Sequence, residues 1–175
     1  VKDEENHSKL VAGGPLSFPD AAILDPVVLQ SLPARIAAGT GIDALTHALE
    51  AYISGSATLI TDAVALEAVR LQVGCLRASV CGVNDVPARE ANIIASTMAN
   101  IACGNARLGH GHTLSLPLES LVDLPHVLGV GVLLPHILAF SLMILPEKAR
   151  RVAAALGARV AEDQSSRDVI AACVE

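Results

Sequence analysis

Two pairs of residues have types and spacings that could hold a metal ion. Asp43 and His47 stand four positions apart, separated by Ala44-Leu45-Thr46. On a helix that spacing places the two side chains one above the other on a single, otherwise apolar face, where they can converge on one ion. A carboxylate with an imidazole is a hard-to-borderline donor pair suited to Fe(II), Zn(II) or Mn(II). Taken alone, such a pair is more often a hydrogen bond that stabilises a helix. His112 and His126 are fourteen positions apart with Pro117 and Pro125 between them, so they belong to two elements. His112 is expected late in one helix and His126, after Pro125, in the first turn of the next, so that a bend brings both rings to one point. Each by itself is more simply a hydrogen-bonded core histidine.

The remaining histidines are weaker candidates. His136 follows Pro135 inside an apolar helix and reads as a core or interface residue, while His110, two positions from His112, faces another side and is expected to line a pocket. His7 lies in a polar leader and reads as solvated. Gly39-Thr40-Gly41 is a weak phosphate-loop candidate that reads better as a helix-ending turn.

Positioning these groups requires a core, and 175 residues with 52% apolar content and a mean hydropathy of +0.52 supply one compact domain. Charged residues make up only 17%, against roughly 25% for an average soluble domain, so part of the surface is expected to be covered by another domain or subunit, and a homo-oligomer is expected. With a net charge of -6, scattered basic residues, and Tyr52, Phe18 and Phe140 as the only aromatics of the Phe, Tyr and Trp type, nucleic acid is not expected as a partner. Cys75, Cys81, Cys103 and Cys173 show no CxxC spacing and read as reduced, mostly buried thiols of a cytoplasmic protein. The uncharged segment Val127 to Leu145 approaches the roughly 20 residues of a membrane span. Gly129, Gly131, Pro135, His136 and Ser141 interrupt it and no aromatic or basic belt flanks it, so it reads as a core helix.

Along the chain, Lys9 to Pro26 is extended in character, and helical periodicity then takes over to the end. Asp25-Pro26 opens a short helix to about Gln30, a second starts near Pro33 and closes at Gly39-Thr40-Gly41, and a longer one runs from about Ile42 to Ile53, ended by Ser54-Gly55-Ser56. Thr61 or Asp62 is expected to cap a helix running towards Ala78. Asn84 to Pro87 reads as a loop, Ala88 to about Cys103 as a helix, and Gly104-Asn105 as a break before a stretch to about Ser115. Pro117, Pro125 and Pro135 punctuate the next stretch of chain. Pro146 opens a helix to Gly157, and a last element begins at Ser165 or Ser166.

Nearly the whole chain resembles the iron-dependent, or group III, alcohol dehydrogenases, relatives of glycerol dehydrogenase and dehydroquinate synthase. The run Gly41-Ile42-Asp43-Ala44-Leu45-Thr46-His47-Ala48-Leu49-Glu50-Ala51-Tyr52 is similar to the family's signature around its first two metal ligands. Asn105 to Gly109 leading to His112, Leu124-Pro125-His126, and Leu133-Leu134-Pro135-His136 continue the pattern without a gap. The resemblance implies a mainly α fold, the helical-bundle C-terminal domain of the dehydroquinate synthase-like fold, with residues 1–26 as an extended segment leading from an α/β cofactor domain and 27–175 as the helical metal-binding domain. It further implies that Asp43, His47, His112 and His126 hold Fe2+, with Zn2+ as the alternative, and that NAD(P) binds through the α/β domain. The implied activity is alcohol dehydrogenation or aldehyde reduction on a small substrate.

Two positions depart from the family pattern. Leu116 stands four residues after His112, where most relatives carry a histidine near the nicotinamide, and Val127 replaces the usual glycine after the last ligand. The first removes an expected proton relay and the second is expected to narrow the pocket. No catalytic side chain is assigned. The family's GGGS-type pyrophosphate loop has no counterpart here, Gly13-Gly14-Pro15 being no substitute, so the chain is expected to be a fragment or split-off domain that does not turn over alone. A related reductase or transhydrogenase, or a non-catalytic metal-binding or oligomerisation relic, are the alternative readings; Asp43 argues against a maleylacetate reductase.

Overall fold

The computed structural model describes residues 2–3, 8–9, 19–82 and 85–174. Gly13-Gly14-Pro15 and His7 lie outside the described residues. Two antiparallel strands of two residues each, β1 (Lys2–Asp3) and β2 (Ser8–Lys9), pair Lys2 with Lys9. A 3-10 helix, Pro26–Ser31, comes next, with the Asp25 side chain accepting from the Val27 amide at 2.9 Å. Seven α-helices complete the described chain: α1 (Ala34–Ile53), α2 (Leu59–Cys81), α3 (Val86–Ala106), α4 (His110–Val122), α5 (His126–Leu142), α6 (Pro146–Ala155) and α7 (Ser166–Val174).

Helices α1, α2 and α3 pack closely because their facing residues are small. Ala48, Ala51, Ala65, Ala68, Ala99, Ala102 and Ala106 are buried there around Leu49, Tyr52 and Val69. Leu134, Leu138 and Leu142 of α5, with Val152 and Val169 from α6 and α7, close the other side of the core. Alpha-helical periodicity thus determines the architecture, and burial of this stripe supplies most of each helix's stability.

Several boundaries differ from the sequence reading. Helix α1 runs unbroken through Gly39-Thr40-Gly41, because these glycines serve close approach. A Cβ on Gly39 would lie 2.6 Å from Val127 Cγ2, and one on Gly41 would collide with Leu76 Cδ1. Thr58, not Thr61 or Asp62, caps α2, in a reciprocal box with Thr61. Helix α3 starts at Val86, with Asp85 accepting from the Ala88 amide, and continues past Gly104 to Ala106. Pro117 and Pro135 lie inside α4 and α5, where tertiary packing outweighs the lost backbone bond. His112 is therefore the third residue of α4 and not late in its helix. Cys75 and Cys173 are buried free thiols, but Cys81 is exposed and Cys103 half-buried. Among the described residues no helix is long and apolar enough to cross a membrane.

Candidate metal centre

Three elements deliver the cluster. Asp43, His47 and Glu50 lie at i, i+4 and i+7 on α1, one stripe of a helix whose buried positions besides Glu50 are small and apolar apart from Thr46, Leu49 and Tyr52. Helix α4 buries Gly111, His112, Ser115 and Glu119, a face with no apolar side chain. Between α3 and α4 only Arg107, Leu108 and Gly109 intervene, and Arg107 takes φ 68° and ψ 166°, a strained conformation outside glycine. That tight connection starts α4 directly against α1. Asp123, at φ 50°, ends α4, and Pro125 starts α5 with His126 as its first residue.

The ligand-type atoms of Asp43, His112 and His126 converge within 4.8 Å of one another. Asp43 Oδ1 lies 3.4 Å from His112 Nε2 and 3.7 Å from His126 Nε2. Donors held about 2.1 Å from a common ion are separated by roughly 3–3.5 Å, so these spacings suit a metal. Asp43 Oδ1 and His112 Nε2 are buried without a hydrogen-bond partner, and the two atoms face one another. His47 lies beside this group: its ring stacks on His112 with centroids 4.5 Å apart, and its Nδ1 sits 4.0 Å from Asp43 Oδ2. The four sequence candidates are neighbours, three of them convergent and the fourth adjacent.

Glu50 and Glu119 carry no role in the sequence reading. Glu50 Oε2 meets His112 Nδ1 at 2.7 Å and accepts from the Gly109 amide at 3.0 Å, while Oε1 accepts from the Gly111 amide. Glu119 Oε1 meets His126 Nδ1 at 2.5 Å. With each Nδ1 donating to a carboxylate, each Nε2 faces Asp43 and offers a lone pair there once it is deprotonated. The missed signal is periodic: Glu50 is seven residues after Asp43, and Glu119 seven after His112, with Ser115 between on the same buried face.

Electrostatics are set by this packing. Burial pulls the His112 pKa down, but the Asp43 and Glu50 carboxylates outweigh it and push the imidazole up to about 9. Burial raises Asp43, yet His112, His47 and His126 together hold it below the ordinary carboxylate range. Glu50 is likewise held low, with burial overcome by His112 and the Gly109 and Gly111 amides. His47 is lowered, chiefly by burial and with the two neighbouring imidazoles adding to it, so it is neutral near pH 7.

The other candidates fall elsewhere. His110 is exposed and lines a cavity of about 480 Å3 with Glu50, Thr113 and Phe140, its ring edge-on to Phe140 at 6.5 Å. His136 is exposed and so is not a core residue. Leu116 is 36% exposed on α4. Val127 packs onto Gly39, which accommodates the bulk that the usual glycine would not have.

The profile of the Fe-containing alcohol dehydrogenase family, C-terminal, matches residues 37–175. The chain belongs to the iron-containing alcohol dehydrogenase family. It is 40% identical to 1,3-propanediol dehydrogenase of Klebsiella pneumoniae over 160 residues, covering 91% of this chain and 41% of that protein. Identity to lactaldehyde reductase of Escherichia coli K12 is 34% over all 175 residues, 45% of that enzyme. Among solved structures, a 1,3-propanediol oxidoreductase superposes with a TM-score of 0.81 at 39% identity, covering 86% of this chain and 39% of that one. The iron-containing alcohol dehydrogenase of Thermococcus thioreducens gives 0.78 at 34% identity, covering 91% and 41%. The chain therefore spans less than half the length of these relatives.

Proposed function

We propose that this chain forms the metal-binding half of an NAD(P)-dependent alcohol dehydrogenase or aldehyde reductase, with Asp43, His47, His112 and His126 as the residues that hold the ion. The observation that carries the reading is the convergence of Asp43 Oδ1, His112 Nε2 and His126 Nε2, two of them buried atoms with no hydrogen bond of their own. One carboxylate and neutral imidazoles suit Fe2+, and Zn2+ as well. When bound, the divalent ion supplies Lewis acidity towards the oxygen of a small alcohol or aldehyde.

The protein's own residues prepare that chemistry. Asp43 contributes the one negative charge among the four donors, so a divalent ion keeps net positive charge. His47 contributes a ring already neutral near pH 7, ready to bind without first losing a proton. Glu50 and Glu119 hold the Nδ1 atoms of His112 and His126 and so keep both rings turned inwards. His126, at 35% exposure, marks the side from which a substrate reaches the cluster, whereas His112 is shielded at 8%. Leu116 offers no proton-carrying group where most relatives have a histidine, so this chain moves no proton through that position. NAD(P) would be held by an α/β domain of the kind the family places before this region.

Metal content and melting temperature of the chain with Fe(II) or Zn(II) added anaerobically test the reading. Wild type should bind about one equivalent and melt higher by mass action, and His112→Ala and Asp43→Asn should lose both effects. Binding of no metal by wild type, or equal binding by both variants, would refute it.

A further inference from the structure

We infer that Gly39, Ile42, Val127 and Gly131 form a reciprocal lock between α1 and α5 that positions Asp43 and His126 at the spacing a metal ion needs; the inference rests on the metal-centre reading above. Each helix offers one glycine and one β-branched side chain to the other. Val127 of α5 seats on Gly39 of α1, and Ile42 of α1 seats on Gly131 of α5. On each helix the glycine and its β-branched companion fall three or four positions apart, so they share the contact face. Both seated side chains are the immediate neighbours of metal-binding residues, Ile42 preceding Asp43 and Val127 following His126. Gly39 lies four residues before Asp43, on the same stripe of α1.

The contacts are tight enough to act as a stop. A Cβ on Gly39 would lie 2.6 Å from Val127 Cγ2 and 3.2 Å from Val127 Cβ, so turning the valine side chain does not clear it. One on Gly131 would lie 3.1 Å from Ile42 Cγ2. Valine and isoleucine are stiff at χ1 in a helix and do not swing aside. Carbon atoms in ordinary contact are about 3.5–4 Å apart, so a methyl at Gly39 pushes the first turn of α5 outwards by about 1 Å. Asp43 Oδ1 and His126 Nε2 stand 3.7 Å apart. Donors sharing an ion lie roughly 3–3.5 Å apart and tolerate deviations of only about 0.2 Å, so a step of that size takes His126 out of reach. Glycine is also the poorest helix former after proline, so both helices give up intrinsic stability to keep these seats. The ring of His126 is oriented by its own contacts, whereas the lock sets the separation of the two helices that carry the donors.

The test measures, in the full chain, Co(II) affinity by chelator competition, the visible spectrum at Co(II) saturation and the metal-free melting temperature. The variants are Gly39→Ala, Gly131→Ala, Gly39→Ala combined with Val127→Gly, and Gly74→Ala, a helical glycine of α2 whose Cβ would meet nothing within 4 Å. Gly39→Ala should bind Co(II) about 10-fold more weakly or worse, with a shifted spectrum. Gly131→Ala, where the overlap is smaller, should lose about two- to threefold and shift the spectrum less. The double variant should return to within about threefold of wild type with the wild-type spectrum, because the glycine at 127 vacates the volume that the new methyl takes. Gly74→Ala should match wild type in affinity and spectrum. Contacts that only pack the fold would lower metal-free melting in Gly39→Ala and leave affinity and spectrum unchanged; that result would overturn the inference. So would a double variant that recovers no affinity, or an equal loss in Gly74→Ala. If Gly39→Ala does not fold, the spectrum of Gly131→Ala decides, a shift supporting the lock and the wild-type spectrum overturning it. Failure of wild type to bind Co(II) would overturn the metal reading itself, and with it this assignment.

Discussion

Metal binding should release a proton from His112, and the count can be worked from the structure. Between the Asp43 and Glu50 carboxylates this imidazole titrates at about 9, so in the metal-free chain it is almost wholly protonated at pH 7. An ion on Nε2 must displace that proton. Asp43 is ionised and His47 neutral in this range, so neither adds to the count. Apparent affinity should therefore rise about tenfold from pH 7 to pH 8, whereas an imidazole at its ordinary value would give a rise of only about 1.3-fold. Calorimetric titration with Zn(II) at pH 7.5 in two buffers of different ionisation enthalpy measures the release directly, and His112 is expected to contribute about one proton per ion. Release below about 0.3 proton, or affinity unchanged between pH 7 and 8, would refute the placement of His112 between two ionised carboxylates.

The same shift makes metal-free stability fall with rising pH. The folded pKa lies above the unfolded value, so this group's stabilisation, up to about 3 kcal/mol, is complete below pH 6.5 and lost as pH passes about 9, which denaturant melts at pH 6 and 9 would show. Gly39→Ala puts a Cβ 2.6 Å from a stiff valine in the first turn of α5 and should cost about 1–3 kcal/mol, weakening metal binding too because His126 shares that turn; equal melts and equal affinity would contradict the close packing. Thr58→Ala removes the box at the start of α2 and should cost about 1 kcal/mol in a urea melt without altering metal content. Arg107→Gly frees a backbone at φ 68° and should raise the unfolding free energy by about 1 kcal/mol.

Much of the cluster was legible in the residues because a helix converts sequence spacing into direction. Asp43 and His47, four apart, had to share a face once α1 formed, and Pro125 placed His126 at a helix start. His112 pairs with His126 by residue type and by the prolines between them, but the sequence places it late in its helix, whereas it is the third residue of α4. The composition likewise required a helical, apolar-cored domain, since the Ala-rich runs repeat with the helix period and no strand alternation recurs after Pro26.

Tertiary structure decided what short-range rules could not. Gly39 and Gly41 read locally as a stop, yet they sit inside α1 because Val127 and Leu76 occupy the volume their side chains would need. Pro117 reads as a break between elements, yet the packing of α4 carries the helix past it. Glu50 and Glu119 carry no role in the sequence reading. Only the approach of α4 and α5 to α1 turns those carboxylates inwards, because a buried charge is stable only where a partner from another element meets it, and sequence spacing within one helix does not specify that partner.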